Sequence, residues 1–562
     1  MNELPQEDSQ LSESQPPTES GLPVESQLPN ESRLPVVQMR PYRWGDPARA
    51  VSLPAAAESA LGYLGAHSPE HPPVEPGDAT LPEMRLSTTV RQALEAAVGA
   101  GNVTSDQLAR VAHTRGWSTP DLIKLRLGDA SDAPDAVVFP GSHDDVLQVL
   151  EICTEHRVAV VPYSGGTSVV GGLAPARSAF AGVITVDLRR MDAMTAIDTE
   201  SRTATLQAGM RGTRAEQVLG EHGFTLGHFP QSYEGASIGG YAATRAAGQA
   251  SAGYGRFDEM VVGLVLATPR GTITLGTAPK SAAGPDLRQL VMGSEGTLGV
   301  ITEVTVRVRP APEVRTYDGW RFDSFEQGAG ALRRLVQDGP VPTVVRLSDE
   351  TETAVNLADP GGSTGGSPGG CLAIAGYEGT PAEVGSRRAA ASAVLAASGG
   401  SALGTGPGEA WRAGRFLAPY LRDSLLDKGA FVETLETATF WSNLAHLRAE
   451  VTKALTTVLT EQGTPPVVMC HISHVYEAGA SLYYTVLCAQ GDDPVAQWHA
   501  AKLVASAAIR AAGATITHHH GVGTDHRDTY AQEVGPLAVE VLRSVKNTLD
   551  PAGILNPGVL IG

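Results

Sequence analysis

Cysteine is scarce in this chain. Cys153, Cys371, Cys470 and Cys488 are the four among 562 residues, and no two form a C-x-x-C pair. That excludes a disulfide-stapled scaffold or a zinc ribbon and points to reduced core thiols in a reducing compartment. Positive charge is short as well, with 42 Lys and Arg against 61 Asp and Glu and a formal net charge of −19. A nucleic-acid binder needs a basic face, so that class is set aside; a local patch for a phosphorylated small molecule is not. No apolar run reaches the roughly 18 residues that a membrane-spanning helix needs. No basic segment leads into an apolar one near Met1, and Leu560-Ile561-Gly562 is not a peroxisomal address, so the expected location is cytoplasmic. What is present, 42% hydrophobic and 18% charged residues, describes a soluble globular protein long enough for two or three domains.

Glycine is abundant, and its most informative cluster is Pro162-Tyr163-Ser164-Gly165-Gly166-Thr167-Ser168-Val169-Val170-Gly171-Gly172, entered from the apolar run Val158 to Val161. Glycines there let peptide N–H groups approach a ligand closely, and consecutive N–H groups make a concave anion site suited to a diphosphate. A tight surface loop would look similar. The pattern is neither the Rossmann nor the P-loop fingerprint. Two further stretches share its character. One is Gln231-Ser232-Tyr233-Glu234-Gly235-Ala236-Ser237, continuing to Thr244-Arg245-Ala246-Ala247; the other is Glu295-Gly296-Thr297-Leu298-Gly299-Val300-Ile301. Small residues recur in both too closely for an ordinary helix surface, as in backbone wrapped around a long ligand.

Residues 1–38 are rich in Pro, Ser, Glu and Gln and hold too little apolar surface to offset ordering entropy, so a disordered tail is expected. Residues 39–130 form an N-terminal helical region, with helices over Thr88 to Val98 and Ser105 to Thr114, the second capped by Ser105. From 131 to 312 short strands and helices alternate: strands Ala136 to Phe139, Val183 to Leu188, Thr203 to Ala208, Val261 to Thr268 and Ile301 to Val308, helices Asp144 to His156 and Gly212 to Gly223. From 313 to 540 a second α+β unit is expected, with helices Ser324 to Asp338, Pro381 to Ala397 and Pro494 to Ala512, a mobile Gly/Ser/Pro loop over Ala358 to Gly370, and Thr515-Ile516-Thr517 running into the histidine triplet. Residues 541–562 form a terminal segment.

Together these stretches resemble the FAD-binding fold of the vanillyl-alcohol oxidase and p-cresol methylhydroxylase superfamily. The carriers are the glycine loop, Gly239-Gly240 with Thr244-Arg245, Gly293-Ser294-Glu295-Gly296-Thr297-Leu298-Gly299-Val300-Ile301-Thr302, and Asp550-Pro551-Ala552-Gly553-Ile554-Leu555-Asn556-Pro557, in that order. Within the superfamily the second unit is most similar to the alkyldihydroxyacetonephosphate synthases of ether-lipid synthesis. Tyr420-Leu421-Arg422-Asp423, Tyr476-Glu477-Ala478-Gly479-Ala480 with Tyr483, and His518-His519-His520-Gly521-Val522-Gly523 carry that likeness. The implied fold is α+β: a two-subdomain FAD-binding domain of the p-cresol methylhydroxylase type, a cap domain, and the terminal segment returning to the FAD domain.

The resemblance implies an enzyme that replaces the acyl chain of acyl-dihydroxyacetonephosphate with a fatty alcohol through a flavin adduct, without net redox change. It places Pro162 to Ser168, Gln231 to Ser237, Thr244 to Ala247 and Glu295 to Ile301 against FAD. Tyr483 matches the proton-transfer residue, and as a base it would need its pKa lowered from about 10 by a neighbouring cation. Arg422 matches a substrate-phosphate arginine, whose guanidinium fork suits a dianion. Arg346 matches another active-site arginine, and in an apolar strand it needs a partner in any case. For His518, His519 and His520 the alternatives are a solvated loop or a metal site with His526. Neighbours on a strand alternate faces, so all three cannot reach one ion; flavin-side hydrogen bonding and substrate contacts are the expectation, with no metal. A homodimer and peripheral membrane contact are further expectations. The membrane contact is weakened by the short 358–370 loop, which stands where relatives carry a longer insertion, and by Thr524-Asp525-His526-Arg527 in place of a lysine-rich run. The rival is a flavin dehydrogenase or oxidase of 2-hydroxy acids; its metal-binding relatives carry H-x-G-D-G-N-x-H, and His474-Val475-Tyr476-Glu477-Ala478-Gly479 stands there instead. A non-enzymatic flavin-fold protein is disfavoured by Tyr483, Arg422 and the histidines.

Thr167 stands where flavin-linking relatives carry histidine, and the three FAD stretches contain no cysteine, so FAD is expected to be non-covalent. Acid precipitation of the purified yellow protein should leave the flavin fluorescence in the supernatant; fluorescence that stays with the pellet would contradict this.

Overall fold

The computed structural model describes residues 39–561, save Pro54, Glu70, Pro175, Ser178 and 358–368. The expected tail and most of the expected mobile loop lie outside the described residues.

Two sheets build the first half. Strands Val103–Thr104, Ala136–Val138, Gly182–Asp187 and Val158–Tyr163 lie in that order, the last three mutually parallel. Their helix, His143–His156, starts at Ser142, whose side chain accepts from the Asp145 N–H, and buries Val146, Val149, Leu150 and Cys153. A second sheet runs Met194–Asp198, Thr203–Gln207, Val300–Arg307, Val261–Thr268, Gly271–Leu275, antiparallel throughout. One core joins both, from Val138, Val160 and Ile184 to Leu206, Leu264 and Val304. Each such fully buried aliphatic side chain contributes roughly 1.5–3 kcal/mol.

The second half is one seven-stranded sheet in the order Ser401–Gly404, Val314–Phe322, Cys371–Gly379, Val344–Ser348, Val467–Val475, Gly479–Ala489, Ala430–Phe440. Helices Phe325–Asp338, Pro381–Ala397, Leu444–Glu461 and Pro494–Ala511 cover one face, where Leu335, Leu395, Val451 and Ala501 share a core with Leu347, Ile472, Leu482 and Tyr484. Because side chains alternate along a strand, the neighbours of Leu482 and Tyr484 face the opposite side. Register then matters: His471 pairs with Tyr483, and Tyr483 with Glu436, in one row across three strands.

The expected helices over Thr88 to Val98 and Pro381 to Ala397 have the observed bounds. The Ser105-capped helix is shifted. It spans Gln107–Ala112, because the Asp106 carboxylate accepts the N–H groups of both Leu108 and Ala109 and so takes the cap. The three histidines do not lie on a strand: Thr515 makes an isolated bridge to Ala438, and residues 516–523 run through bends and turn.

The C-terminal segment packs on the first half. Leu555 bridges to Val160 beside the glycine loop, the buried Asp550 carboxylate accepts from the N–H groups of Ile554 and Leu555, and Lys546 ties Asp550 to the Thr297 carbonyl. Asn556, at φ +39°, donates through its amide to the carbonyls of Gly172 and Glu295. One side chain thereby clasps two of the glycine-rich stretches together.

Candidate active site

Between the two halves lies a cavity of about 1190 Å³. The glycine loop forms one wall, Pro162 through Ser168 all reaching it. A Cβ at Gly165 would overlap the Gly235 carbonyl and the Arg211 guanidinium, and Gly166 sits at φ +68°, so both positions favour glycine sterically or conformationally. Among the described residues, the N–H groups of Gly166 and Thr167 donate to no carbonyl, which is what a diphosphate requires of its cradle. Gln231, Ser232, Ala236, Ser237, Thr244, Ala246, Ala247, Glu295, Gly296, Gly299, Val300 and Ile301 line the same wall. The donors and the bare backbone fit FAD.

Other residues expected to touch the cofactor stand behind that wall. Tyr233 is buried against Phe229 and Phe416. Glu234 accepts from Tyr420 and Trp44 and pairs with Arg49. The Gly235 carbonyl is taken by Arg211. Arg245, at φ +51°, binds Asp258 and the carbonyls of Met292 and Gln289. Thr297 donates to the Ser294 carbonyl, and Leu298 is buried. These side chains fix the frame rather than the cavity surface.

The opposite wall comes from the seven-stranded sheet and carries Arg346, His471, His474 and Tyr483, with His519 and His520 reaching it from the following loop. The partner that Arg346 needs is Glu352, 2.7 Å away, and the ring of His471 joins both at about hydrogen-bond distance. Burial would raise the Glu352 carboxyl, but Arg346 and His471 hold it far below its usual range. His471 then stacks on Tyr483 at 4.9 Å. The structure reverses the expected direction for Tyr483: burial, with Glu433 and Glu436 nearby, outweighs Thr434 and Arg346 and pushes its hydroxyl up to about 12. Tyr483 therefore keeps its proton near neutrality.

The histidine loop hangs from two buried carboxylates. Glu436 accepts from the Thr517 hydroxyl at 2.6 Å and from the N–H groups of His518, His519 and His520 at 2.7, 3.1 and 3.0 Å. Burial acts against its charge, yet the surrounding imidazoles, His519 first, hold it well below the usual carboxylate range. Glu295 accepts from Val522 at 3.0 Å and Gly523 at 3.0 Å; here burial wins and its pKa rises to about 7. His520 is lowered to about 3 by burial. His518 does not reach the cavity. Its Nδ1 lies 2.9 Å from His519 Nδ1 and its Nε2 2.5 Å from the Tyr476 hydroxyl. Since the loop is not a strand, alternation of faces does not separate these rings: His474, His518 and His519 each offer a nitrogen within 4.8 Å of the others.

Arg422 reaches the cavity from helix Ala418–Leu426. One of its nitrogens donates to the Trp117 carbonyl at 2.6 Å, while Nε and the other terminal nitrogen are buried without a hydrogen-bond partner. Nearby the wall turns apolar: Leu53 and Leu61 of the N-terminal region meet Leu425, Val432 and Leu487. Neither this arm nor Glu352 nor Glu436 was among the residues expected from the sequence. Only the carboxylate six residues after Arg346 could have suggested Glu352; the others meet the site through strand register or distant packing.

The first half matches the FAD binding domain model over residues 134–276, and the second matches the model of FAD linked oxidases, C-terminal domain, over 311–560. The fold and the cavity define an FAD-dependent enzyme of that two-domain type, with the cofactor bound non-covalently. The alkyldihydroxyacetonephosphate synthase of Dictyostelium discoideum is 33% identical over 81% of this chain and 78% of its own length, and that of Trypanosoma brucei brucei is 33% identical over the same shares. The chain belongs to the alkyldihydroxyacetonephosphate synthase family. A mitochondrial D-lactate dehydrogenase of Arabidopsis thaliana, 30% identical over 77% of this chain and 74% of its own, is a more distant relative. Among solved structures, an alkyldihydroxyacetonephosphate synthase superposes with a TM-score of 0.79 at 28% identity, covering 93% of this chain and 99% of that one. p-Cresol methylhydroxylase shares the fold at a TM-score of 0.65 and 18% identity.

Glu295 generates a pH prediction. Its pKa in the folded chain, about 7, lies above the ordinary carboxyl value of 4.5. Between those values the folded chain holds a proton that the unfolded chain has released, so folding stability falls as pH rises through that window. A shift of this size corresponds to roughly 3 kcal/mol. Glu295→Gln should remove that share of the pH dependence. Denaturant midpoints at pH 5 and pH 8 should therefore differ less in the variant than in the wild type; an unchanged difference would mean that Glu295 is ionised throughout.

Proposed function

We propose that this protein exchanges the acyl chain of acyl-dihydroxyacetonephosphate for a fatty alcohol. The observation that carries the reading is Arg422: a half-buried guanidinium at the junction of a flavin cavity and an apolar arm, with two nitrogens that make no hydrogen bond and only a 3.9 Å approach of Nε to Asp423. A phosphate dianion satisfies that fork, and the leucines beside it accept an alkyl chain. FAD supplies the electron-rich centre at which the substrate carbon changes partners. Arg422 and Arg346 are the substrate-binding arginines of this reading, Tyr483 the proton-transfer residue, and His519 and His520 the cavity-side hydrogen-bonding pair. The FAD contacts are those of the three glycine-rich stretches that line the cavity.

Lipid substrates and the exposed Tyr63, Val355 and Leu421, which line the same cavity, support peripheral contact with a membrane; among the described residues no helix is long and apolar enough to cross one. We read the protein as a homodimer, in keeping with the sequence expectation. The histidines act as hydrogen-bonding groups in this reading, since His518 and His519 already bond to each other and His474 Nδ1 to the Ser251 hydroxyl. Exhaustive dialysis against a chelator should leave turnover and flavin content unchanged; loss of turnover restored by zinc would establish a metal instead.

The direct assay is palmitoyl-dihydroxyacetonephosphate with hexadecanol, run beside dye reduction by D-lactate. Ether product without dye reduction is expected, and the reverse would establish a hydroxy-acid dehydrogenase. Arg422→Lys keeps charge and loses the fork, so kcat/KM should fall by about one to two decades, roughly 1.5–3 kcal/mol, at normal FAD content. Tyr483→Phe should keep FAD and substrate affinity and lose turnover by roughly 10² to 10⁴. Near wild-type turnover in Tyr483→Phe would remove that residue from proton transfer.

A further inference from the structure

The exchange proposed above leaves a proton behind. The bond from substrate C1 to the acyl ester oxygen breaks, and its electron pair departs on the fatty-acid carboxylate. The alcohol oxygen forms the new bond to C1 and gives up its hydrogen as a proton. The released acid is ionised at neutral pH, so one proton is surplus in every turnover and no oxidant or reductant is consumed. The cavity is deep and partly apolar, and that proton needs a way out.

We propose that His519, His518 and Tyr476 form a proton relay from the cavity to the hairpin turn beside Tyr476. His519 lines the cavity. Its Nδ1 is 2.9 Å from His518 Nδ1, and His518 Nε2 is 2.5 Å from the Tyr476 hydroxyl. Each link is a hydrogen bond, and each ring can accept a proton at one nitrogen while releasing one from the other. The phenol does the same with its single oxygen. Tyr476 is half-buried at the turn joining strands Val467–Val475 and Gly479–Ala489, followed by exposed Glu477 and Ala478. The relay therefore ends at the base of that exposed turn, with the Arg256 guanidinium beside the phenol. This inference rests on the proposed exchange reaction.

The surroundings suit transfer rather than storage. Burial keeps His518 well below its ordinary value, and it raises Tyr476, so neither group traps the proton or its absence at neutral pH. Glu436 Oε2 stands 3.4 Å from His519 Nδ1 and offsets the charge that arrives there. The same carboxylate fixes the backbone of all three histidines, and Arg256 donates to the His518 carbonyl at 3.1 Å. His474 stacks on His518 at 4.9 Å and walls the relay on one side, its Nδ1 held by Ser251.

Tyr476→Phe removes the last link while keeping the ring. In the holoenzyme at low buffer concentration, kcat for the acyl exchange should fall roughly 10²-fold, with KM and flavin content little changed. Added imidazole, a small diffusible proton carrier, should restore most of the loss, and His518→Gln should show the same pattern. A merely structural role would not respond to imidazole. Wild-type kcat at low buffer, or a deficit that imidazole leaves untouched, would overturn the relay. Ring ¹⁵N signals of selectively labelled histidines give a readout that does not depend on the reaction. His518 and His519 should share a hydrogen-bonded ring proton in the wild type, and the His518 Nε2 signal should move in Tyr476→Phe. Absence of either change would overturn the relay, whereas failure of the wild type to make ether product would overturn only the exchange reaction.

Discussion

Two carboxylates taken out of water organise this site. Glu436 belongs to the seven-stranded sheet and Glu295 to the third glycine-rich stretch, and between them they accept five backbone N–H groups along residues 518–523. A buried carboxylate without donors would be very costly, and a loop with that many unpaired N–H groups would be costly too. Each satisfies the other. The histidine loop is thereby fixed to both halves of the molecule at once, and the cavity between them takes its shape from that attachment.

The two carboxylates nevertheless differ in charge state for a physical reason. Glu436 has three imidazoles around it and stays ionised; Glu295 has backbone donors and the neighbouring Asp525 charge, and burial raises it. Ionised and half-protonated anchors on one loop give the cap-side end a firm negative counter-charge and leave the flavin-side end closer to neutral. That suits a cavity whose flavin wall is bare backbone and whose sheet wall carries arginine and imidazole.

The glycine-rich stretches were legible in the sequence because close approach of backbone to a ligand writes itself locally, as small residues in a row. Helices such as Thr88–Val98 were legible because their stop and start signals are local as well. The sheet wall was not. Glu436, Tyr483 and His471 meet only through strand register, a relation between residues up to dozens of positions apart. The likeness to a family supplied Tyr483 and Arg422, but not the direction of the tyrosine's pKa, which depends first on its burial and then on the carboxylates of Glu433 and Glu436 beside it. The strand alternation expected of His518 to His520 hid their convergence, because alternation of faces fails once the backbone bends.

The clasp made by Asn556 has a consequence for biosynthesis. The glycine loop near Gly172 and the stretch at Glu295 are separated by more than a hundred residues, and the side chain that bonds both carbonyls lies a further two hundred and sixty-one positions along. During translation the first half leaves the ribosome with both loops made and no residue to join them. The cofactor cleft is thus closed by a segment synthesised long after both loops, so a ribosome-bound first half is not yet a complete flavin receptor.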